Sequence, residues 1–445
     1  MNPLTVLHEI GAVLVIVSAA LAACAGVGRL LGDPMVSLAA LCASSALSLA
    51  VGAALRFAGR RAPDLTIRDG IGVVTFGWAA IGVFGALPYL WAGVIPDFAG
   101  AVFETISGFS TTGASVIAVP EDVPRGILLW RATTHFLGGM GILLLCIAIL
   151  PALGAAGMQL YRAEVAGPFK DRITPRLADT ARLLWWIYVA LCAAETLLLR
   201  LGGMGWFDAV CHSFATLATG GFSTRTESIA AYNSLYVEGV AVFFMIAGAC
   251  NFVLHHRLLR RGEIRGYLRD TEFRFFAGML AGMVALVTLN LWIAAGQPLG
   301  RAFRDGLFSV TSILTTTGFC TADFDRWTPF AKILLVLSMV VGGCVGSTSG
   351  GIKQLRVAVT MKALLRRVRQ FYQPQAVVAV KANGETLPNE SVNAMVAYVV
   401  LYVLILVVGS VVMTLFTPDI MTAVTSVVAT MGGVGPGLSA VGPTQ

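Results

Sequence analysis

The chain has 445 residues, of which 57% are hydrophobic and only 12% charged, where a soluble protein carries about 25% charge. That balance, with a mean hydropathy of +0.80, excludes an ordinary soluble enzyme. At about 20 residues per membrane-spanning helix the length accommodates roughly eight to twelve intramembrane helices in one polytopic unit. The net charge of +7 does not mark a nucleic-acid surface, because no folded soluble domain is left to hold one.

In chain order, the Met-Asn-Pro start leads into an apolar run that continues past Ala23 without a cleavage site, so no removed signal peptide is expected. Apolar runs near 9–28, 36–58, 70–93, 126–151, 182–201, 235–254, 274–296, 329–345 and 392–416 predict nine spans. Four shorter semi-polar segments lie among them, near 98–110, 207–218, 304–315 and 419–431. At about 1.5 Å rise per residue each covers only part of the hydrocarbon core, so each is expected to enter the membrane and return on the same side.

Aligned, the short segments form an internal repeat: FETISGFSTTGAS (103–115), CHSFATLATGGFST (211–224), FSVTSILTTTGFCT (308–321) and TSVVATMGGVGPGL (425–438). Each follows an aspartate (Asp97, Asp208, Asp305, Asp419) and closes on glycine at 113, at 220 or 221, at 318 and at 435. This predicts a helix, re-entrant loop, helix unit repeated four times. With the loops on one side, the other side carries 22 of the 31 basic residues, which places that side in the cytoplasm. The eight cysteines are scattered without a C-x-x-C pair and read as small core residues. Of the five histidines only His255 and His256 are adjacent, and they read as an interfacial pair at a cytoplasmic helix end.

Non-helical backbone is tolerated at membrane depth only where it is buried in protein or lines a wet cavity, so four such loops are expected to share one pore. Glycine lets carbonyls point where residues with a Cβ cannot, and four loops can then present rings of oxygens that replace a cation's hydration shell. The carbonyl ends of the half-helices also favour positive charge, and both effects select a monovalent cation. No nucleophile, base and orienter constellation stands out, and Gly351-Ile-Lys-Gln354 lacks the ending of a phosphate loop. No enzymatic activity and no cofactor are expected.

A second unusual stretch, GGCVGSTSGGIK, interrupts the span that begins near 329. Glycine costs roughly 1 kcal/mol per residue relative to alanine in a helix, so this one should break in mid-membrane. A mobile loop there, comprising Gly342, Gly343, Gly346, Ser347, Thr348, Ser349, Gly350 and Gly351, would serve as a gate.

These loops together with GGCVGSTSGGIK resemble the potassium-translocating subunit of the bacterial Trk/Ktr family, over nearly the whole chain. The resemblance implies an all-α membrane protein with two leading helices (1–60) and four pseudo-repeats around one pore. We place these at 61–165, 166–262, 263–381 (with the broken second helix) and 382–445. It also implies a homodimer in the bacterial cytoplasmic membrane and a TrkA-like cytoplasmic nucleotide-binding ring as regulatory partner. The family's filter carries over onto Thr111, Thr112 and Gly113; Thr219, Gly220 and Gly221; Thr316, Thr317 and Gly318; and Val434, Gly435 and Pro436. In the second loop either glycine could be the filter residue. Serine at the first filter glycine is associated in the family with sodium, so Gly113 points to potassium as the substrate. Only ten residues follow Gly435, so the last repeat lacks its second helix, and with it an arginine the family places beneath the filter; truncation is expected. The rival readings are a proton- or sodium-coupled symporter, for which Glu104 and Glu195 are the obvious intramembrane acids, and a non-conducting structural or sensor subunit. Glu104 reads as capping its own half-helix.

Overall fold

The structure, a computed structural model, describes residues 2–60, 66–152, 177–376 and 378–443. It is an all-α architecture apart from one small hairpin. The leading pair, α1 (Pro3–Leu30) and α2 (Met35–Ala58), packs closely because small residues face each other. A Cβ on Gly52 would lie 2.9 Å from the Gly11 carbonyl oxygen. One level along, Ser18 donates to the Ser45 carbonyl (2.8 Å) and Ser45 to that of Ser18 (2.9 Å). Asp33 in the connecting turn accepts from the Gly126 N–H at 2.6 Å, which docks the pair on the start of α5 (Arg125–Ala152).

The helix, half-helix, helix order recurs along the chain. α3 (Ile67–Trp91) is followed by the half-helix α4 (Phe98–Phe109) and α5. α6 (Leu177–Leu201) leads to the half-helix α7 (Trp206–Leu217) and then α8 (Leu235–Ala249). α9 (Phe252–Arg261) and the short α10 (Arg265–Arg269) connect to α11 (Thr271–Ile293). The half-helix α12 (Leu299–Leu314) follows, then α13 (Pro329–Val341) and, after a break, α14 (Gln354–Tyr372). A hairpin pairing 381–382 with 385–386 precedes α15 (Asn389–Met413) and the half-helix α16 (Ile420–Gly432). Asp97 and Asp419 are N-caps of α4 and α16, accepting from Gly100 and Thr422 N–H groups, as a carboxylate at a helix N-terminus should. The N–H and hydroxyl of Thr422 draw the Asp419 carboxyl down to about 2. In the third repeat the half-helix starts earlier than its pattern indicates, so Asp305 falls inside it.

Among the described residues, six helices are long and apolar enough to cross a membrane, or seven if one bent pair is a single span. That pair is α8 and α9, bent by 105°, where the apolar run 235–254 predicts one straight helix. The break is stabilised locally, since the Asn251 side chain caps α9 at the Val253 N–H (2.9 Å). It is also stabilised from outside: Cys344 N–H reaches the Ala249 carbonyl (2.9 Å) and Phe252 N–H reaches that of Gly346 (3.0 Å). His255 and His256 are buried in the protein. The His255 imidazole bonds the Ala247 carbonyl (2.8 Å) and the Tyr267 hydroxyl (2.7 Å). α15 leaves Val400, Leu404 and Val411 exposed, an apolar surface suited to a non-aqueous surrounding.

Gly52→Leu should force α1 and α2 apart and cost about 1–3 kcal/mol by overpacking. Thermal unfolding in detergent checks this against Gly26→Leu, where a Cβ meets nothing within 4 Å and the midpoint should not fall, since leucine also has the higher helix propensity.

Candidate functional site

The four half-helices end in the same way. One residue past the C-caps Ser110, Ala218 and Thr315 the backbone turns left-handed, at Thr111 (φ 55°), Thr219 (52°) and Thr316 (59°), and the fourth half-helix makes the same turn at its C-cap, Gly433 (66°). The next N–H reaches five residues back: Thr112 to Ser107 (2.9 Å), Gly220 to Ala215 (2.8 Å), Thr317 to Ser312 (2.8 Å) and Val434 to Ala429 (2.8 Å). This closure satisfies carbonyls that a helix ending inside a membrane would otherwise leave bare. Glycine is the usual residue at the left-handed position; a β-branched threonine there is a genuine outlier, costing about 1–3 kcal/mol. Three of the four loops carry it.

Two residues further on, Gly113 (φ 79°), Gly221 (78°), Gly318 (82°) and Gly435 (94°) are left-handed again. Gly221 is therefore the counterpart of the other three, and Gly220 stands one position earlier, beside Thr112, Thr317 and Val434. A Cβ on each of these glycines would overlap the neighbouring loop's carbonyl oxygen: Gly113 meets that of Gly220, Gly221 that of Thr317, and Gly318 that of Val434. Gly435 meets that of Thr112 at 2.8 Å, which closes the circuit. The four loops thus form one ring in chain order. Pro436 joins it through its Cδ, 2.9 Å from a Cβ on Gly318.

Behind the first loop Glu104, fully buried, pairs with Arg131 of α5 (Nε to Oε1, 2.6 Å). Its other partners are the Ser115 hydroxyl (3.0 Å) and the Val116 N–H (2.9 Å). Arg131 also donates to the Ser223 carbonyl at 2.8 Å, so one ion pair ties the exits of the first and second loops. Glu104 is not a cap of its own half-helix as its sequence position indicates; the returning chain brings its partners to it. His212, at the same offset before Gly221, bonds the Ser223 hydroxyl at 2.9 Å. Arg131 went unnoticed in the sequence, although an arginine inside an apolar span is a signal in its own right. Glu121, on the connection into α5, accepts from the N–H and hydroxyl of Thr226 (2.8 and 2.6 Å). Against the upward pull of partial burial, those bonds hold its carboxyl below the ordinary carboxylate range.

The Gly/Ser stretch breaks the helix as its composition predicts, α13 stopping at Val341 and α14 starting at Gln354. The loop between them is held from several sides. Glu272 of α11 accepts from the Val345 and Leu355 N–H groups (2.7 and 3.0 Å). The Thr348 hydroxyl lies within hydrogen-bond distance of the Leu217 and Gly248 carbonyls (2.8 and 3.0 Å). Gly350 N–H donates to the Thr316 hydroxyl (2.7 Å), and Ser349 lies 3.1 Å from the same oxygen. Gly350 also packs against the Gly432 carbonyl. Gly343, Gly346, Ser347 and Gly351 complete the loop; Ser347 is tied to the Cys344 carbonyl (2.6 Å). The loop therefore touches the C-terminal ends of three half-helices.

Half-helices too short to cross a membrane, set among long apolar helices and joined in a closed ring of loops, define a polytopic α-helical membrane transporter. Residues 38–443 match the TrkH family, described as cation transport proteins. The chain is 39% identical over 406 residues to the Trk system potassium uptake protein TrkH of Escherichia coli strain K12, covering 89% of this chain and 83% of that protein. It is 38% identical to TrkH of Halomonas elongata over 395 residues, 88% of this chain and 82% of that one. The crystal structure of the potassium transporter TrkH from Vibrio parahaemolyticus superposes with a TM-score of 0.89 at 34% identity, covering 99% of this chain and 92% of that chain. The chain belongs to the TrkH family; it is a multi-pass cation transporter of the bacterial inner membrane and not an enzyme.

Removing one member of the buried pair, as in Glu104→Gln or Arg131→Met, should cost about 3–5 kcal/mol by leaving its partner uncompensated. The double variant should lose clearly less than the sum, measured as a thermal-unfolding cycle.

Proposed function

We propose that this chain mediates potassium uptake through a filter formed by the backbone of residues 111–113, 219–221, 316–318 and 434–436. The observation that carries this reading is the closed ring in which each glycine adjoins the next loop's carbonyl with no room for a Cβ. In each loop positive φ alternates with negative φ, a backbone pattern that can turn successive carbonyls to one side, as a ring of cation ligands requires. Half-helix C-termini at the ring add negative potential that favours a cation. Relatives named as potassium uptake proteins support the choice of ion. The pseudo-repeats at 61–165, 166–262, 263–381 and 382–445 surround this pore, after the pair at 1–60. The basic side is cytoplasmic, and there the segment 353–381 offers a TrkA-like nucleotide-binding ring an anchoring surface. Two such chains form the homodimer, with one pore each.

Residues 342–351 act as the gate. Their hydroxyl and N–H groups bond the bases of the second and third half-helices, so opening must break those bonds.

Gly113→Ser should lower the rubidium-to-sodium flux ratio in liposomes, because a side chain at φ 79° cannot enter the ring without displacing the Gly220 carbonyl. An unchanged ratio would remove Gly113 from the filter. Thr348→Val keeps the shape and deletes the hydroxyl; at about 0.5–1.5 kcal/mol per lost bond, rubidium flux should rise roughly three- to tenfold. The flux ratio should stay constant, and a change in the ratio without one in flux would assign this residue to selectivity instead of gating.

A further inference from the structure

The second loop departs from the others at one position. Immediately before the ring glycine stand Thr112, Thr317 and Val434, but Gly220 in the second loop. In the first and third loops that threonine pairs with a hydroxyl two residues earlier, Thr112 with Ser110 (2.8 Å) and Thr317 with Thr315 (2.9 Å). The second loop has Ala218 and Gly220 there, so neither hydroxyl exists.

The space is filled from another helix. His135 of α5 is fully buried, and a Cβ on Gly220 would lie 2.5 Å from its Cε1 and 2.6 Å from its Cδ2, on the face of the ring. Phe222 stacks on the imidazole with centroids 4.0 Å apart and planes at 15°, which leaves the opposite face to Gly220. The Arg131 guanidinium lies 3.6 Å from the Phe222 centroid. Arg131 and His135 are one helical turn apart, so one face of α5 holds Phe222 between a cation and a flat ring. Neither imidazole nitrogen has a hydrogen-bond partner among the described residues. Its contacts with Gly220 and Phe222 are those of shape and stacking.

We propose that His135 is the side chain the second loop lacks: a positioning residue that supplies from α5 the bulk the other loops carry themselves, and that requires glycine at 220. The inference rests on the filter reading for its effect on selectivity, while its packing component stands on geometry alone.

The test is a double-mutant cycle on full-length protein, read by thermal unfolding and by rubidium and sodium flux into liposomes. Gly220→Thr should lower the melting temperature and reduce the rubidium-to-sodium ratio about tenfold or more, because its side chain would meet the His135 ring, which Phe222 holds from the other face. His135→Ala alone should reduce the ratio by about three- to tenfold, and the pair His135→Ala/Gly220→Thr should return it to within about threefold of the parent, a coupling expected only of residues in contact. His135→Phe should keep the ratio within about twofold, since a flat ring of similar size is retained. If Gly220→Thr does not fold, recovery of a folded double variant is the expected result. A double variant no better than the sum of its singles, in both readouts, overturns the proposal. A well-folded His135→Phe that loses rubidium preference also overturns it, by assigning the nitrogens a ligand. A parent protein without rubidium preference would instead remove the filter reading, and the melting-temperature cycle would still decide the packing.

Discussion

Every peptide group taken out of water must find a partner, and four helices in this protein are too short to cross a membrane and end in loops that pack on one another. The rest of the site follows from how those ends are closed. A left-handed residue and an N–H reaching five residues back satisfy the last carbonyls of each half-helix. The same closure turns the chain so that the next residues leave the helix axis and meet their counterparts from the other repeats. Thr111, Thr219 and Thr316 occupy a conformation that disfavours β-branched residues, and the surrounding contacts hold them in it. Two residues on, glycine is a geometric necessity, because the neighbouring loop's carbonyl occupies the place of its Cβ.

A ring made of backbone has no side chains of its own with which to resist deformation, so its rigidity comes from behind. The Ser107 and Ser312 hydroxyls hold the Ala114 and Phe319 carbonyls in the first and third loops (2.5 and 2.7 Å). Between the first and second loops stands a buried ion pair, an arrangement that stabilises less than its distance indicates but penalises the loss of either partner. Glu104 and Arg131 thus specify where two loop exits lie relative to each other. The aromatic stack of Phe222 continues that support to Gly220.

The Gly/Ser loop between α13 and α14 joins this framework at three places, and it also completes the backbone bonding of a second broken helix. Ala249 and Phe252, at the bend between α8 and α9, have partners in Cys344 and Gly346. A displacement of this loop therefore exposes polar groups in two repeats at once. The hydroxyl of Thr316 belongs to both the ring and the loop contact, so movement in one is felt in the other.

Much of this was legible in the sequence because it depends on local preference and solvent. Low charge and long apolar runs specify membrane helices, half-length segments ending in Thr and Gly specify half-helices closed by loops, and five glycines within 342–351 specify a break. The choice between Gly220 and Gly221 was not legible, because both permit a positive φ; only the neighbouring carbonyl and the His135 ring separate them. The bend at Cys250 and Asn251 was hidden for a similar reason: the run is apolar throughout, and its freed backbone groups are satisfied by a loop about a hundred residues away in the chain. The partners of Glu104 were equally out of reach, since Ser115, Val116 and Arg131 come to it only when the chain returns past the loop, and Ser223, which Arg131 also bonds, belongs to another repeat. By itself the sequence determined the fold class, the four loops and the broken helix, all set by the cost of placing polar groups in lipid. Only the tertiary structure decided the ring's register and its supporting contacts, because both arise where side chains and carbonyls of distant segments exclude one another.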